Sequence, residues 1–133
     1  WDELSRRYTF VRVYCDPPKW DSEIDDWALL YGDETFIKWV TYRPVQMHAA
    51  LERTVTDLES GRISTDACEV TRRHVGNARR AARPGERYIL AKPSEGEKID
   101  AAMSSTLAHE ARADALAAGW SAAPPDRRVI VYR

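Results

Sequence analysis

The chain has 133 residues, enough for one domain with its own core. Hydrophobic residues make up 44% and charged residues 31%, a balance that excludes a disordered tail, and no apolar stretch nears the ~20 residues that span a bilayer. The net charge is −1, which gives nucleic-acid binding no support from the total, and two cysteines, Cys15 and Cys68, exclude a disulfide scaffold.

Trp1 to Arg7 reads as the last turns of a helix with no cap before it, so the chain is expected to begin inside a domain. It carries no secretory signal pattern and no CxxC or Cys/His cluster for zinc, and a cytoplasmic location is expected. Tyr8 to Cys15 is a β-rich, mostly apolar run, as in a strand buried on both faces of a sheet, and Asp16-Pro17-Pro18 stops it. Asp21 or Ser22 can cap the next helix, where Ile24, Trp27, Ala28 and Tyr31 recur at helical spacing before Gly32. Thr35 to Val40 is a second short strand. Pro44 opens a helix that runs to Ser60, with faces marked by Val45, His48, Ala49, Leu51, Glu52, Val55 and Leu58.

Gly61 ends that helix, and Arg62-Ile63-Ser64 reads as a brief extended piece. The pattern then predicts a helix over Glu69 to Ala82 and a strand over Arg87 to Ala91. The longest helix is expected over Lys98 to Ala118, with a buried stripe of Ile99, Met103, Leu107, Ala111 and Leu116 and a stop at Gly119. In the tail, Val129 to Tyr132 is apolar and could add an edge strand. Residues 1–120 form one unit and 121–133 a tail. The alternation of strands and helices argues for an α/β sandwich in which Tyr8–Cys15 and Thr35–Val40 lie parallel.

Asp16 then falls at the carboxyl end of a strand, where function gathers in open α/β sheets. A carboxylate held stiff by two prolines suits a hard cation such as Mg²⁺. An Asp before Pro also commonly forms a turn by accepting from nearby backbone N–H groups. Asp100 lies in the first turn of the long helix, a position that the helix dipole favours without any function. Its register places it just off the apolar stripe, towards the sheet rim. His74 on an Arg-rich helix is a weaker candidate for acid/base work, and His48 and His109 weaker still.

Charge is unevenly spread. Asp21, Glu23, Asp25, Asp26, Asp33 and Glu34 form an acidic stretch, of which Asp21, Glu23, Asp25 and Asp26 lie on one helix and read as its wet face. Arg72, Arg73, Arg79, Arg80, Arg83, Arg87 and Lys92 form a basic one, which could follow a phosphate backbone or simply be a solvated face. No GxxxxGK[ST] loop is present, so no ATP site is expected, and no GxSxG supports acyl transfer.

Five segments in order carry a resemblance: Tyr14-Cys15-Asp16-Pro17-Pro18-Lys19-Trp20, Glu23-Ile24-Asp25-Asp26-Trp27-Ala28, Thr41-Tyr42-Arg43-Pro44-Val45-Gln46-Met47, Arg73-His74-Val75-Gly76-Asn77-Ala78-Arg79-Arg80 and Lys98-Ile99-Asp100-Ala101-Ala102-Met103. The series resembles the nuclease domain of the large terminase subunit of tailed phages, in the form found among actinobacterial phages and prophages, from about Trp1 to Trp120.

The resemblance implies a ribonuclease-H-like mixed sheet flanked by helices, here lacking its first strands. It implies a metal-dependent endonuclease that cuts concatemeric double-stranded DNA during packaging. The metal would be Mg²⁺ or Mn²⁺ in a two-metal site, with Asp16 and Asp100 as catalytic metal ligands. The family's first acid lies on an upstream strand outside this sequence, so the chain alone is expected to be a weak nuclease or none. Arg72, Arg73, Arg79, Arg80, Lys92 and Lys98 are the candidate DNA contacts. The terminase ATPase domain, the small terminase subunit and the portal are the implied partners, with no membrane. A non-catalytic DNA- or partner-binding module and a prophage remnant are the alternatives.

Overall fold

A computed structural model describes residues 1–65 and 68–121. In chain order the elements are α1 (Asp2–Arg7), β1 (Val13–Cys15), α2 (Asp21–Tyr31), β2 (Phe36–Lys38), α3 (Pro44–Glu59), α4 (Glu69–Asn77), β3 (Arg79–Arg83), β4 (Arg87–Ala91) and α5 (Asp100–Ala117). The architecture is mixed α/β, with a parallel pair β1–β2 and an antiparallel hairpin β3–β4. No helix among the described residues is long and apolar enough to cross a membrane. The possible strand at Val129–Tyr132 lies outside the described residues.

The parallel pairing expected between the first two strands is present, but β1 is shorter than its apolar run. Val13, Tyr14 and Cys15 stand opposite Phe36, Ile37 and Lys38. Val13 N–H donates to Thr35 O at 2.7 Å, and Trp39 N–H donates to Cys15 O at 2.8 Å, closing the two ends of the ladder. Tyr8 to Arg12 has β-forming residues but no ladder partner, so it stays irregular. Phe10 from this stretch packs edge-on against Trp1 and Phe36, with ring centroids 5.5 and 5.7 Å apart.

α2 turns Ile24 into the protein and leaves Leu29 and Leu30 on its outer face. Its acidic face is wet, as expected, and Lys38 from β2 bridges Asp21 and Asp25 at 3.0 and 2.8 Å. Both carboxylates hold the Lys38 ammonium above its ordinary range, Asp25 through the stronger hydrogen bond. Gly32 ends α2 at φ +108°, a left-handed conformation that costs glycine little. α3 starts with Pro44 in its first turn, as predicted, and buries Met47, Ala50 and Leu51. Val45, expected to mark a face, is 64% exposed.

The predicted helix over Glu69–Ala82 is split in two. α4 ends at Asn77, Ala78 turns extended, and Arg79–Arg83 becomes β3, paired residue for residue with Arg87–Ala91. Pro84-Gly85-Glu86 turns the hairpin, with Gly85 and Glu86 both at positive φ. Arg-Arg-Ala-Ala-Arg favours a helix in isolation, and the pairing offered by β4 overrides that preference. Arg62-Ile63-Ser64 forms no strand.

α5 packs against α3, α4 and β1. Leu107 and Ala111 are buried as expected, but the stripe also takes in Ala102, Thr106, His109, Glu110 and Ala115, while Leu116 faces outward. The central core joins Trp39, Met47, Leu51, Tyr88, Ile89 and Leu107, so α3 is clamped between β4 and α5.

Buried polar groups on α5 are satisfied across the helix interface. Glu110 meets Arg53 of α3 at 3.0 Å. His109 Nε2 meets Asp57 Oδ2 at 2.8 Å, and Arg62 bonds the other Asp57 oxygen. Arg62 first, then His109, hold the Asp57 carboxyl below the ordinary carboxylate range. A lowered folded pKa stabilises the fold above the unfolded value and loses that contribution as pH falls through the folded one. Urea midpoints of the wild type should therefore drop on acidification below about pH 4 more steeply than those of Asp57→Asn. Parallel pH profiles would show that Asp57 does not couple to folding.

Candidate functional site

Asp16 leaves β1 at its carboxyl end and turns towards the exit of β2. Its Oδ2 accepts from Thr41 Oγ1 at 2.8 Å and its Oδ1 accepts from Thr41 N–H at 3.1 Å. The local-turn reading of Asp16 predicts backbone N–H donors from its own loop; the donors instead come from the far side of β2. The carboxylate is thus fixed by two charge-assisted bonds, and each oxygen keeps a further lone pair. Thr41→Val should cost about 1–2 kcal/mol in urea unfolding, because it removes one hydroxyl bond to a carboxylate and keeps the volume. An unchanged midpoint would show that the hydroxyl does not hold Asp16.

Pro17, Pro18 and Lys19 carry the chain from Asp16 into α2. Trp20 N–H donates to Pro17 O at 2.9 Å, closing a tight turn. Lys19 sits at φ +73°, a left-handed conformation that costs a branchless lysine about 1 kcal/mol or more. The turn sets Trp20 at the N-cap of α2, and Trp27 lies behind it with ring centroids 6.3 Å apart and planes at 27°.

Asp100 is the first residue of α5. The start of that helix is held by α4. Ala101 N–H donates to His74 Nδ1 at 2.9 Å, and Asn77 Nδ2 donates to Lys98 O at 2.9 Å. His74 therefore serves as an imidazole cap for a helix amide that would otherwise lack a partner. Sequence reasoning read His74 as a weak candidate for acid/base work; its position gives it a structural bond.

Asp16 and Asp100 line one open cleft of about 470 Å³. Tyr14, Trp20, Trp27 and Ser104 share its walls. The Tyr14 hydroxyl donates to Asp114 Oδ2 at 2.5 Å, and burial, then that bond, push its pKa up. Burial also pushes the Cys15 thiol up, which disfavours a thiolate nucleophile beside the acids.

The two carboxylates are hard oxygen donors, the class that Mg²⁺ and Mn²⁺ prefer, and Mg²⁺ commonly uses one or two carboxylates plus water. In that respect the residues fit a divalent ion. Among the described residues no group of three or more His, Cys, Asp or Glu side chains is placed to hold a metal.

The basic residues lie elsewhere. Arg72, Arg73, Arg79, Arg80, Lys92 and Lys98 are all exposed, and none lines the acidic cleft. Arg73 pairs with Glu69 at 2.7 Å along α4. The Arg79 guanidinium donates to Gly76 O and Ala78 O, and Arg80 lies 4.4 Å over the Tyr88 ring. Arg79 and Arg80 are consecutive on β3, so their side chains leave opposite faces of the strand.

Sequence reasoning missed Thr41 as the clamp on Asp16 and Trp20 as a wall of the cleft. The signal for Thr41 is faint: it is a β-branched hydroxyl just past a strand that runs parallel to the one ending in Asp16. No protein-family model, curated protein or solved structure matches this chain.

Proposed function

We propose that this chain is part of a metal-dependent nuclease domain, of the type found in tailed-phage terminase large subunits, acting on the phosphodiester backbone of double-stranded DNA. The observation that carries the reading is the shared cleft. Two carboxylates 84 positions apart in the numbering, Asp16 and Asp100, line one opening at the carboxyl end of β1. A divalent ion bound between them would supply charge stabilisation at the phosphate and lower the pKa of an attacking water. The protein's own part is to hold Asp16 through Thr41 and to hold the start of α5 through His74 and Asn77.

The ribonuclease-H-like arrangement needs one more acid, carried on a strand beside β1. Two features favour such a neighbour. β1 has a single strand partner, β2, among the described residues. Along β1 runs a cavity of about 410 Å³ lined by Arg12, Tyr14, Cys15, Ser104 and Leu107. Arg12 Nε is buried with no hydrogen-bond partner among the described residues, a donor that an adjoining strand's carbonyl would satisfy. On this reading the ATPase domain, the small terminase subunit and the portal are the partners of the whole protein.

The test is Mn²⁺ binding followed by paramagnetic NMR broadening, alongside nicking of supercoiled plasmid. Broadening centred on Asp16 and Asp100 supports the reading. Broadening elsewhere, or none, overturns it.

A second reading is favoured by the placement of the basic residues. Arg79, Arg80 and Arg83 on β3 and Arg72 on α4 are exposed surface residues, and none of them lines the cleft. A module that grips DNA without cutting would show salt-dependent, metal-indifferent binding through these residues.

A further inference from the structure

Trp20 presents a large aromatic face to water beside the acidic cleft. It is 55% exposed. Its position is not loose. The Pro17–Trp20 bond closes the turn beneath it, and its backbone carbonyl accepts from Ile24 N–H at 2.9 Å, as the first bond of α2.

The ring is also backed from inside. Trp27 lies behind Trp20 and in turn meets Trp1 at 5.6 Å and the buried Phe36 at 6.2 Å. A file of rings therefore leads from the core to the cleft, and Trp20 is its outermost member. Trp20, Trp27, Asp16, Pro18 and Asp100 line the same opening.

A ligand that fits this opening has a flat π-face for the indole and an anionic group that a cation can bridge to the carboxylates. A nucleotide carries both. In a duplex the base faces are already stacked on their neighbours, so an indole reaches one only where the strand is unpaired. We infer that Trp20 is a stacking platform for an unpaired nucleobase, and that the cleft takes a single-stranded or locally opened DNA strand next to the phosphate to be cut. The bridging cation and the cut phosphate rest on the hydrolytic reading above; the contact between Trp20 and a base is tested apart from it.

The experiment uses fluorescence anisotropy with labelled oligo(dT) and with a blunt duplex of equal length, with Ca²⁺ as the bridging cation at low salt. The wild type should bind the single strand more tightly. Trp20→Leu keeps apolar bulk but loses the flat face, and should weaken oligo(dT) binding by about tenfold while leaving the duplex unchanged. Trp20→Phe should retain most of the affinity. An abasic position in the oligonucleotide should weaken the wild type but add little to Trp20→Leu, since both remove the same contact.

Equal binding of both DNAs by the wild type, or oligo(dT) affinity indifferent to Trp20→Leu, overturns the inference. The two readings fail separately. Mn²⁺-dependent nicking that needs Asp16 and Asp100 but ignores Trp20 would keep the nuclease reading and remove this one. Oligo(dT) binding that needs Trp20, in a protein whose acids bind no divalent ion, would do the reverse.

Discussion

Replacing either Asp16 or Asp100 by Asn is expected to abolish Mn²⁺ binding at the cleft and to lower any plasmid nicking by at least about a hundredfold. That figure corresponds to roughly 2.7 kcal/mol of transition-state stabilisation, the low end of what a bound cation supplies. Asparagine keeps the shape and one carbonyl oxygen but removes the charge. At position 16 the fold should survive, because an amide oxygen still accepts from Thr41 N–H and the amide nitrogen can donate to the Thr41 hydroxyl. Loss of activity with an unchanged urea midpoint would therefore report on the site and not on folding.

Asp100→Asn should cost somewhat more in stability, a few tenths of a kcal/mol, because it also removes a negative charge from the first turn of α5. The wild-type chain alone should nick weakly or not at all, as two acids make an incomplete site. Supplying the acid-bearing strand beside β1 should raise the rate. If both variants bind Mn²⁺ as the wild type does, the two carboxylates share a cleft without sharing an ion.

Met47→Ala is expected to destabilise the protein by about 2–5 kcal/mol. Met47 is fully buried at 0% exposure and sits in the cluster that joins α3 to β4 and α5. Truncation leaves a cavity that Trp39, Leu51, Tyr88 and Leu107 cannot all collapse to fill. Against a domain stability of roughly 5–15 kcal/mol this is a large fraction, and partial unfolding at 37 °C is the expected phenotype. The control is Leu29→Ala on α2. Leu29 is 86% exposed, so its loss should stay within about 0.5 kcal/mol. Urea denaturation of the pair measures the contrast. Equal effects at both positions would mean that the core does not centre on α3.

Much of the chain follows from local pattern. α3 begins at Pro44 as marked, and α5 falls within the expected Lys98–Ala118, but neither Asp21 nor Ser22 caps α2, whose N-cap is Trp20 with no side-chain cap bond. β2 and β4 lie where the apolar runs put them, and the first two strands pair in parallel as the alternation implied. Asp16 at a strand's carboxyl end and Asp100 in a helix's first turn could both be placed from neighbours a few residues away.

What failed were several features whose cause lies far along the chain. Tyr8 to Arg12 has strand-forming residues, yet a strand needs a partner ladder, and β2 offers only three residues. Arg79 to Arg83 has helix-forming residues, yet β4 supplies five paired positions and makes it a strand. His109 and Glu110 look like outward-facing polar residues, and are buried because Asp57 and Arg53 on α3 meet them. Local sequence set the propensities and the ends of most elements, through steric and hydrogen-bonding preferences that act over a few residues. Only the tertiary structure decided that Thr41 holds Asp16, and that Asp16, Asp100 and Trp20 face one opening, because those contacts exist only once distant segments have packed together.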